Sequence, residues 1–572
     1  MRSATLLACA AALLGWGHVP ARSGPPAIGL NLTQVSYFSP EVVFVDVCRQ
    51  TQPMFAHKTG APWPQSDPGA VEFGDNGYPV SIASDHTAGA LWDVPRGYPG
   101  GPHVLLWDGV GDVTVFLGSD PIVDSAPGRL VFDLASGPTR RLFRIEATDP
   151  SNPARNLRCV PLAYEAALVG EAPAEPFRRE FLDQWSQLDG FRYMDWAATN
   201  DSTVARWEDR PKPTDQTQGS RGVALEYQIA HANRTATNPW FNIPHLADDD
   251  YVRRAATLIR DRLAPTLVAR IEYSNEVWNG QFQQSQHAKR EGASLPDSDG
   301  GFQGSLWWYS KRSVEVFDIF AEVFTEGGAN PAGADRLVRV LSAQAGNPWT
   351  GRQILSYGDA YLKADALAIA PYFDAMVAAG PDAERWKDAT WSERLSFVEE
   401  ELQASFSRME AYRDLLRDTV NESGETIYDH IQLFAYEGGQ HFLGHPNTHE
   451  DEPLTEIFWE LNRRPEMREF YRRYLERWEQ IGGADFMLFA SASEFGRWGS
   501  WGLVEYEGQP IDETPKLQGV MDYLDSVITR PPGDRGTKTP VAESTERVLR
   551  LADGSPYVAA PESPEAVGPA AD

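Results

Sequence analysis

The stretch ARIEYSNEVW, residues 269–278, is an apolar run that ends in polar and charged side chains. Seven other short apolar runs recur along the chain, with helical stretches between most of them. They are IGLNL (28–32), FRYMDW (191–196), WFNIPH (240–245), LVRVLSAQ (337–344), ALAIAPYF (366–373), LFAYEGGQ (433–440) and FMLFASAS (486–493). Near-continuous apolar strands suit a parallel sheet that is covered on both faces. Eight alternating strand and helix units predict an α/β fold, a (β/α)8 TIM barrel.

A doubly wound open sheet would show a similar alternation of strands and helices. That fold is disfavoured because no glycine-rich phosphate loop follows any of the eight runs. The assignment of strand numbers depends on IGLNL being the first strand.

The region between the first and second runs has a different pattern. From about residue 71 to residue 162 the chain is rich in Gly, Pro and Asp, and its short runs alternate with period two. Examples are HVLLW (103–107), VTVFLG (113–118) and RLVFDL (129–134). This pattern predicts an antiparallel β-sandwich inserted between the first and second barrel strands.

The chain therefore divides into five predicted segments. They are a signal peptide (1–21), a first β/α unit (22–68), the inserted sandwich (69–165), the remainder of the barrel (166–529) and a disordered tail (530–572). The signal peptide has one basic residue, Arg2, then an apolar run and small residues before a cut after Ala21, so we expect a secreted or periplasmic protein. Cys9 loosely fits a lipoprotein signal, but only eight residues precede it and the apolar run continues beyond it.

The composition excludes several classes of partner. A formal net charge of −30 argues against nucleic acid and anionic membranes, because both require clustered Lys and Arg. No stretch after the signal peptide is long and apolar enough to insert into a membrane. A neutral substrate fits the charge, although negative charge also keeps an exported protein soluble without any other function.

The cysteines and the known motifs indicate neither a metal nor a cofactor. Cys48 and Cys159 are too few for a disulfide scaffold; they form either one bridge or two separate buried thiols. Zinc-type spacing, a P-loop and a GxSxG elbow do not occur in the sequence. We therefore expect no cofactor and no metal.

The polar ends of the fourth and seventh runs are the strongest candidates for catalysis. In a barrel of this kind the active site lies at the carboxyl ends of the strands. Alternation places Glu272, Ser274 and Glu276 on one face of the fourth run, and Glu437 closes the seventh run. Paired carboxylates are what glycosidic-bond hydrolysis requires. A single glutamate at a strand end is more often a surface group, so the hypothesis depends on the pair.

These strand ends resemble the retaining glycoside hydrolases of clan A. The resemblance rests on Asn275-Glu276, Glu437 in YEGGQH, Tyr372 after Pro371 and Arg192 on the second strand. It implies that Glu276 is the acid/base and Glu437 is the nucleophile. It also implies that Asn275 holds the sugar 2-hydroxyl and that Tyr372 donates a hydrogen bond to the nucleophile. The runs FVDVCRQTQP and RYMDWAATN further resemble a group of secreted bacterial proteins labelled as cellulose-binding.

Weaker candidates surround this pair, and each has a structural alternative. His245 could contact the substrate or be satisfied by a neighbouring backbone group. Arg192 could instead form a buried ion pair with Glu272. Trp278 could wall the site, and Trp498, in a glycine-rich loop, could offer a flat face to a sugar ring. Asp195 and Asn200 could line the cleft or cap the turn after the second strand.

The sequence as a whole predicts a secreted retaining β-glycoside hydrolase acting on a β-linked polysaccharide or oligosaccharide by double displacement. A non-catalytic carbohydrate-binding or cell-surface protein on the same barrel is the alternative, although such a protein would be expected to lose one carboxylate. A transglycosylase would use the same residues. The inserted sandwich either binds carbohydrate or forms a structural lid. The oligomeric state is not predicted.

Overall fold

The computed structural model describes residues 24–61, 67, 69–116, 118, 120–169, 172–173, 175–326 and 333–529. The predicted signal peptide, 1–21, and the predicted disordered tail, 530–572, lie outside these residues. Within the described ranges, no helix is both long enough and apolar enough to cross a membrane.

Eight parallel strands close into a barrel, and they follow one another around it in chain order. The strands are Ile28–Asn31, Gly190–Arg192, Asn238–Ile243, Ala269–Tyr273, Leu337–Ser342, Ala366–Ile369, Gln432–Ala435 and Phe486–Phe489. The first strand pairs with both the second and the eighth, which closes the barrel. All eight predicted strands are present, so the prediction of a (β/α)8 barrel is confirmed.

Helices connect most of the barrel strands. They are Arg179–Gln184, Leu225–Thr235, Asp249–Arg262, Gln283–Gly292, Phe302–Thr325, Pro348–Ser356, Pro381–Asp388, Trp391–Asp418, Glu452–Arg463, Glu466–Gln480 and Pro515–Thr529. Some of them begin with a side-chain cap: the Asp248 carboxylate accepts from the N–H of Tyr251 at 2.8 Å at the start of Asp249–Arg262. Thr390 and Glu393 form a reciprocal capping box at the start of the longest helix.

Two four-stranded antiparallel sheets lie between the first and second barrel strands in the chain. In spatial order, one contains Phe55–Lys58, His86–Val94, Thr139–Thr148 and Gly111–Phe116, and the other contains Arg155–Pro161, Gly101–Asp108, Arg129–Leu134 and Ile122–Ala126. Side chains of both sheets, such as Trp92 and Leu105, belong to one buried cluster that is separate from the barrel core. Short strand pairs at Val71–Phe73 with Pro79–Ile82 and Leu168–Val169 with Ala172–Pro173 complete this region.

The boundary predicted at residue 69 is wrong. The strand Phe55–Lys58 pairs with His86–Val94, so the antiparallel region begins inside the predicted first β/α unit. That unit also lacks an α-helix in its described residues and has only a short 3-10 helix, Val47–Gln50. The Asp46 carboxylate accepts from the N–H groups of Cys48 and Cys159, which ties the segment to the antiparallel sheet. Both cysteines are buried free thiols.

A small parallel sheet extends the barrel at its sixth and seventh strands. Phe373–Val377 pairs with Gln440–Gly444, a few residues beyond the ends of the two barrel strands. Tyr372 and Glu437 therefore lie between the barrel and this extension, where ordered backbone on both sides fixes them. In the sequence these residues lie within the apolar runs ALAIAPYF and LFAYEGGQ, and neither run predicts a second sheet.

Candidate active site

The fourth strand leaves its regular course just before the predicted acid/base. The strand ends at Tyr273, and Ser274 and Glu276 then take left-handed backbone conformations with φ of 62° and 41°. Alternation does not hold through such residues, so the prediction that Glu272, Ser274 and Glu276 share one strand face is wrong. A left-handed conformation costs a non-glycine residue about 1–2 kcal/mol. Strained backbone of this kind concentrates at functional sites.

Glu276 is half-buried, and both of its carboxylate oxygens are held. Oε1 accepts a hydrogen bond from the hydroxyl of Tyr436 at 2.8 Å, and Oε2 accepts from Nδ2 of Asn279 at 3.0 Å. Tyr436 directly follows the seventh strand, whereas Asn279 lies in the turn that follows Glu276 itself. The carboxyl group is therefore oriented both from across the barrel mouth and from its own loop.

Glu437 is the more deeply buried of the two, at 6% exposure. Its Oε1 accepts from Nη1 of Arg192 at 2.9 Å, and its Oε2 accepts from the hydroxyl of Tyr372 at 3.0 Å. Burial raises the pKa of Glu437 to about 8; the charge of Arg192 and the hydrogen bond of Tyr372 oppose this rise, whereas the charge of Glu276 adds to it. The two glutamates therefore interact electrostatically, as a pair at one barrel mouth.

Arg192 connects the whole site, and its side chain is fully buried. Besides Glu437, its guanidinium donates to Oε2 of Glu272 at 2.9 and 3.1 Å, to Oδ1 of Asn275 at 2.8 Å and to Oδ1 of Asn31 at 3.1 Å. The predicted alternative, a buried ion pair of Arg192 with Glu272, therefore occurs, and the same guanidinium also pairs with Glu437.

Glu272 is a structural carboxylate in the barrel interior, not a second exposed acid. Its remaining donors are Trp240 Nε1 at 2.9 Å, Asn242 Nδ2 at 2.8 Å and Ser342 Oγ at 2.7 Å. These come from the third and fifth strands on either side of the fourth. A buried charge with this many donors is well satisfied, so it holds Arg192 in place without being free to react.

Asp195 is a third carboxylate near the pair. It follows the second strand, is half-buried, and has a pKa raised to about 6 by burial, against the lowering effect of Arg192. Its charge is also one of the causes that raise the pKa of Glu437. The charges of Asp195 and Glu276 thus both act on Glu437 at this mouth.

The other predicted site residues lie at different distances from this centre. Trp278 is half-buried, and its ring centroid is 6.2 Å from that of Tyr436 beside Glu276. His245 is 5% exposed and its ring lies 5.5 Å from that of His287. Burial lowers the pKa of His245 to about 4, so it is a neutral side chain at neutral pH. Its described contacts include neither Glu276 nor Glu437.

Trp498 lies in the loop that follows the eighth strand. It is 57% exposed, and its ring makes an edge contact with that of His449 at 4.6 Å. Arg497 lies over the same ring at 4.9 Å and pairs with Glu450. The loop after the eighth strand and the loop after the seventh are thus joined at an exposed aromatic surface.

Sequence reasoning missed Tyr436 and Asn279, which hold Glu276. Tyr436 could have been found, because strand alternation places it on the same interior face as Phe434, pointing towards the mouth. Asn279 gives no such signal, since its contact depends on the left-handed turn at Glu276. In the described residues, no cluster of three or more His, Cys, Asp or Glu side chains is arranged to hold a metal ion.

The chain is similar to known proteins only in structure, at low sequence identity. No protein-family model and no curated protein sequence matches the chain. Among solved structures, the chain is similar to a GH5-4 broad-specificity endoglucanase from Clostridium acetobutylicum, with 8% identity, a TM-score of 0.31, and coverage of 60% of this chain and 89% of the other. It is also similar to a Bacteroides ovatus GH5 xyloglucanase in complex with a XXXG heptasaccharide, with 10% identity, a TM-score of 0.31, and coverage of 77% and 96%. A family 5 xyloglucanase from Paenibacillus pabuli gives 10% identity, a TM-score of 0.31, and coverage of 60% and 90%. TM-scores this low carry no functional argument.

Proposed function

We propose that the chain is a secreted retaining β-glycoside hydrolase that cleaves a β-linked polysaccharide or oligosaccharide by double displacement. One observation carries the proposal: two glutamates follow the fourth and seventh barrel strands, and each is held through both oxygens by two donors. Such positioning is what attack on an anomeric carbon and protonation of the leaving oxygen require.

In the first step Glu437 attacks the anomeric carbon while Glu276 protonates the glycosidic oxygen. The carbon–oxygen bond to the leaving group breaks, and a glycosyl ester forms on Glu437. In the second step water attacks the same carbon, Glu276 takes a proton from the water, and the carboxylate of Glu437 leaves. Two inversions return the sugar to its starting configuration, and both residues return to their starting protonation states.

Burial raises the pKa of Glu437 to about 8, so its ionised form depends on the groups around it. Glu437 must be ionised to attack, and Arg192 and Tyr372 favour its ionised form. A negative charge on Glu276 raises the pKa of Glu437, so protonation of Glu276 removes that charge and favours an ionised nucleophile. Loss of the negative charge on Glu276 therefore shifts the pKa of Glu437 downwards, which is the direction that the first step requires.

The surroundings of the pair suit a neutral sugar chain. Asn275 lies beside Arg192 and would hold the sugar 2-hydroxyl, Trp278 would wall the site, and Trp498 would offer its exposed ring to a more distant sugar. His245 would contribute a neutral imidazole at the edge of the site. A net charge of −30 disfavours polyanionic polysaccharides and leaves neutral ones as the substrate class.

Product stereochemistry and matched variants test the proposal together. Wild type, Glu276→Gln, Glu437→Gln and a control at the exposed Glu494, Glu494→Gln, would be assayed on a panel of soluble β-glucans, xylans and mannans. Proton NMR at early times identifies the first anomer released. We expect the β-anomer from wild type and from the control, and about a hundredfold or greater loss in each of the other two variants.

Two results would contradict this account. Release of the α-anomer first would exclude a retaining mechanism, and an active Glu437→Gln variant would exclude its nucleophile. A wild type that binds one of these polysaccharides without cleaving any would favour the non-catalytic alternative. Export is a separate part of the proposal, and N-terminal sequencing of protein recovered outside the cytoplasm should show a start at residue 22.

A further inference from the structure

A chain of amide groups links the turn after the second strand to the helix after the fourth. Asn275 Nδ2 donates to Oδ1 of Asn200 at 3.0 Å, and Gln284 Nε2 donates to the same oxygen at 2.7 Å. Gln284 Nε2 also donates to the main-chain oxygen of Asn275 at 3.0 Å, and its Oε1 accepts from the N–H of Asp201 at 3.0 Å. Gln284 lies on the helix Gln283–Gly292 and is only 1% exposed.

The direction of every hydrogen bond in this chain is fixed from its two ends. A guanidinium can only donate, so Arg192 requires the oxygen of the Asn275 amide on its side. A backbone N–H can only donate, so Asp201 requires the oxygen of Gln284, which turns the Gln284 amino group towards Asn200. Asn200 must then present its oxygen, and Asn275 must present its amino group to Asn200.

These directions decide which polar group of the Asn275 amide remains available to a ligand. The oxygen of Asn275 is engaged by Arg192, and one of its two amide N–H bonds is engaged by Asn200. The second amide N–H is the polar group that remains for a ligand. A reversed Asn275 amide would offer an oxygen instead and would place like partners against both Arg192 and Asn200.

We propose that Asn200 and Gln284 are positioning residues that make Asn275 a hydrogen-bond donor to the sugar 2-oxygen. This inference rests on the proposed glycosidase function. Neither residue has to touch the substrate: both act through the orientation of Asn275. Among these three amides Asn200 acts only as an acceptor, because its own amino group donates instead to the sulfur of Met194 at 3.6 Å.

Replacement of the amide by a carboxylate should therefore have an effect at Gln284 and little effect at Asn200. Asn200→Asp keeps an acceptor for both incoming N–H groups, whereas Gln284→Glu replaces one of the two amides that donate to Asn200 with a carboxylate, which has no hydrogen to donate. Gln286, two residues further along the same helix, is exposed, so Gln286→Glu makes the same change outside the chain of amides.

The measurement is the ratio of kcat/KM for an aryl β-glycoside to kcat/KM for its 2-deoxy analogue. Gln284→Glu should lower this ratio about tenfold, as expected for the loss of one hydrogen bond, and Asn200→Asp and Gln286→Glu should retain it. Protonation of the introduced carboxyl restores an O–H donor, so the effect of Gln284→Glu should grow as pH rises. If Gln284→Glu does not fold, Asn200→Leu should show the same loss.

Equal loss of activity on both substrates in Gln284→Glu, with the ratio unchanged, would overturn the inference and leave these residues a purely structural role. A lost ratio in Asn200→Asp would also overturn it. A wild type inert towards every glycoside would overturn the proposed function and this inference with it. These two failures are distinguishable. If the wild type is active and Gln284→Glu keeps the same kcat/KM ratio, only this inference fails and the proposed function stands.

Discussion

Two tyrosine hydroxyls hold the two glutamates, and their removal should have distinguishable effects. Tyr372 donates to Oε2 of Glu437 at 3.0 Å, and Tyr436 donates to Oε1 of Glu276 at 2.8 Å. The variants Tyr372→Phe and Tyr436→Phe each remove one oxygen atom and keep the ring. Each therefore tests one hydrogen bond with little change in packing.

The expected magnitude follows from the charge of the acceptors. A hydrogen bond to a charged group contributes about 1.5–3 kcal/mol, which corresponds to about tenfold to a hundredfold in rate. Loss of the Tyr372 hydroxyl removes a donor that lowers the pKa of Glu437, so this pKa should rise further and the ionised fraction should fall. Glu437 would still keep Arg192 at 2.9 Å, so activity should fall without being abolished.

The assay compares two β-glycosides that share a sugar, one with a dinitrophenyl leaving group and one with a simple alcohol as leaving group. Dinitrophenolate leaves without protonation, whereas a simple alcohol requires Glu276 as acid. Tyr372→Phe should slow both substrates by similar factors, because both need attack by Glu437. Tyr436→Phe should slow the alcohol substrate and largely spare the dinitrophenyl substrate. Equal losses on both substrates in Tyr436→Phe, or a Tyr372→Phe enzyme as fast as wild type, would refute the assignment of roles.

Further predictions concern pH and stability. Glu276→Gln removes a negative charge that raises the pKa of Glu437, so the acid limb of dinitrophenyl glycoside cleavage should move to lower pH; an unmoved limb would contradict the coupling. Burial raises the pKa of Glu41 to about 7, so its stabilising contribution is complete below its usual pKa of 4.5 and is lost as pH rises to about 7. The Tm of Glu41→Gln should therefore change less with pH than the Tm of wild type. Parallel curves of Tm against pH for the two proteins would contradict this. Arg192→Met leaves Glu272 buried without its cation and should lower the free energy of unfolding in urea by about 3–5 kcal/mol; a loss within measurement error would show that the ion pair is not needed.

The barrel was predictable because its signal is repeated. Each strand is an apolar run long enough to be recognised, and errors at one run do not alter the other seven. The predicted runs extend past the strands, since the pattern FRYMDW continues beyond Arg192 and ARIEYSNEVW continues beyond Tyr273. Buried residues in the connecting loops are apolar for packing reasons of their own, and periodicity alone does not separate them from a strand.

The sequence singles out the charged residues of the candidate site but not the contacts between them. Glu276 and Glu437 stand out because carboxylates rarely close apolar strands, and Arg192 stands out as a charge within one. The left-handed turn at Ser274 and Glu276 depends on contacts from other strands, so the local sequence does not predict it. The sharing of Arg192 between Glu272 and Glu437 likewise exists only once the barrel closes.

The insertion was recognised from its composition, but its start was misplaced. Phe55–Lys58 is a strand of only four residues, and its antiparallel partner begins at His86. A short segment of this kind has no periodicity of its own. Its assignment depends on a pairing across the intervening chain, which the sequence pattern does not reveal.

The most direct test of the central claim is to trap the covalent intermediate on Glu437. Wild type and Glu437→Gln would be incubated with a panel of activated 2-deoxy-2-fluoro β-glycosides, followed by intact mass measurement and peptide mapping. We predict a mass increase of one fluorosugar in wild type, located on the peptide that carries Glu437, and none in the variant. An adduct on any other residue, or turnover of natural substrates by a wild type that no fluorosugar labels, would contradict a retaining mechanism through Glu437.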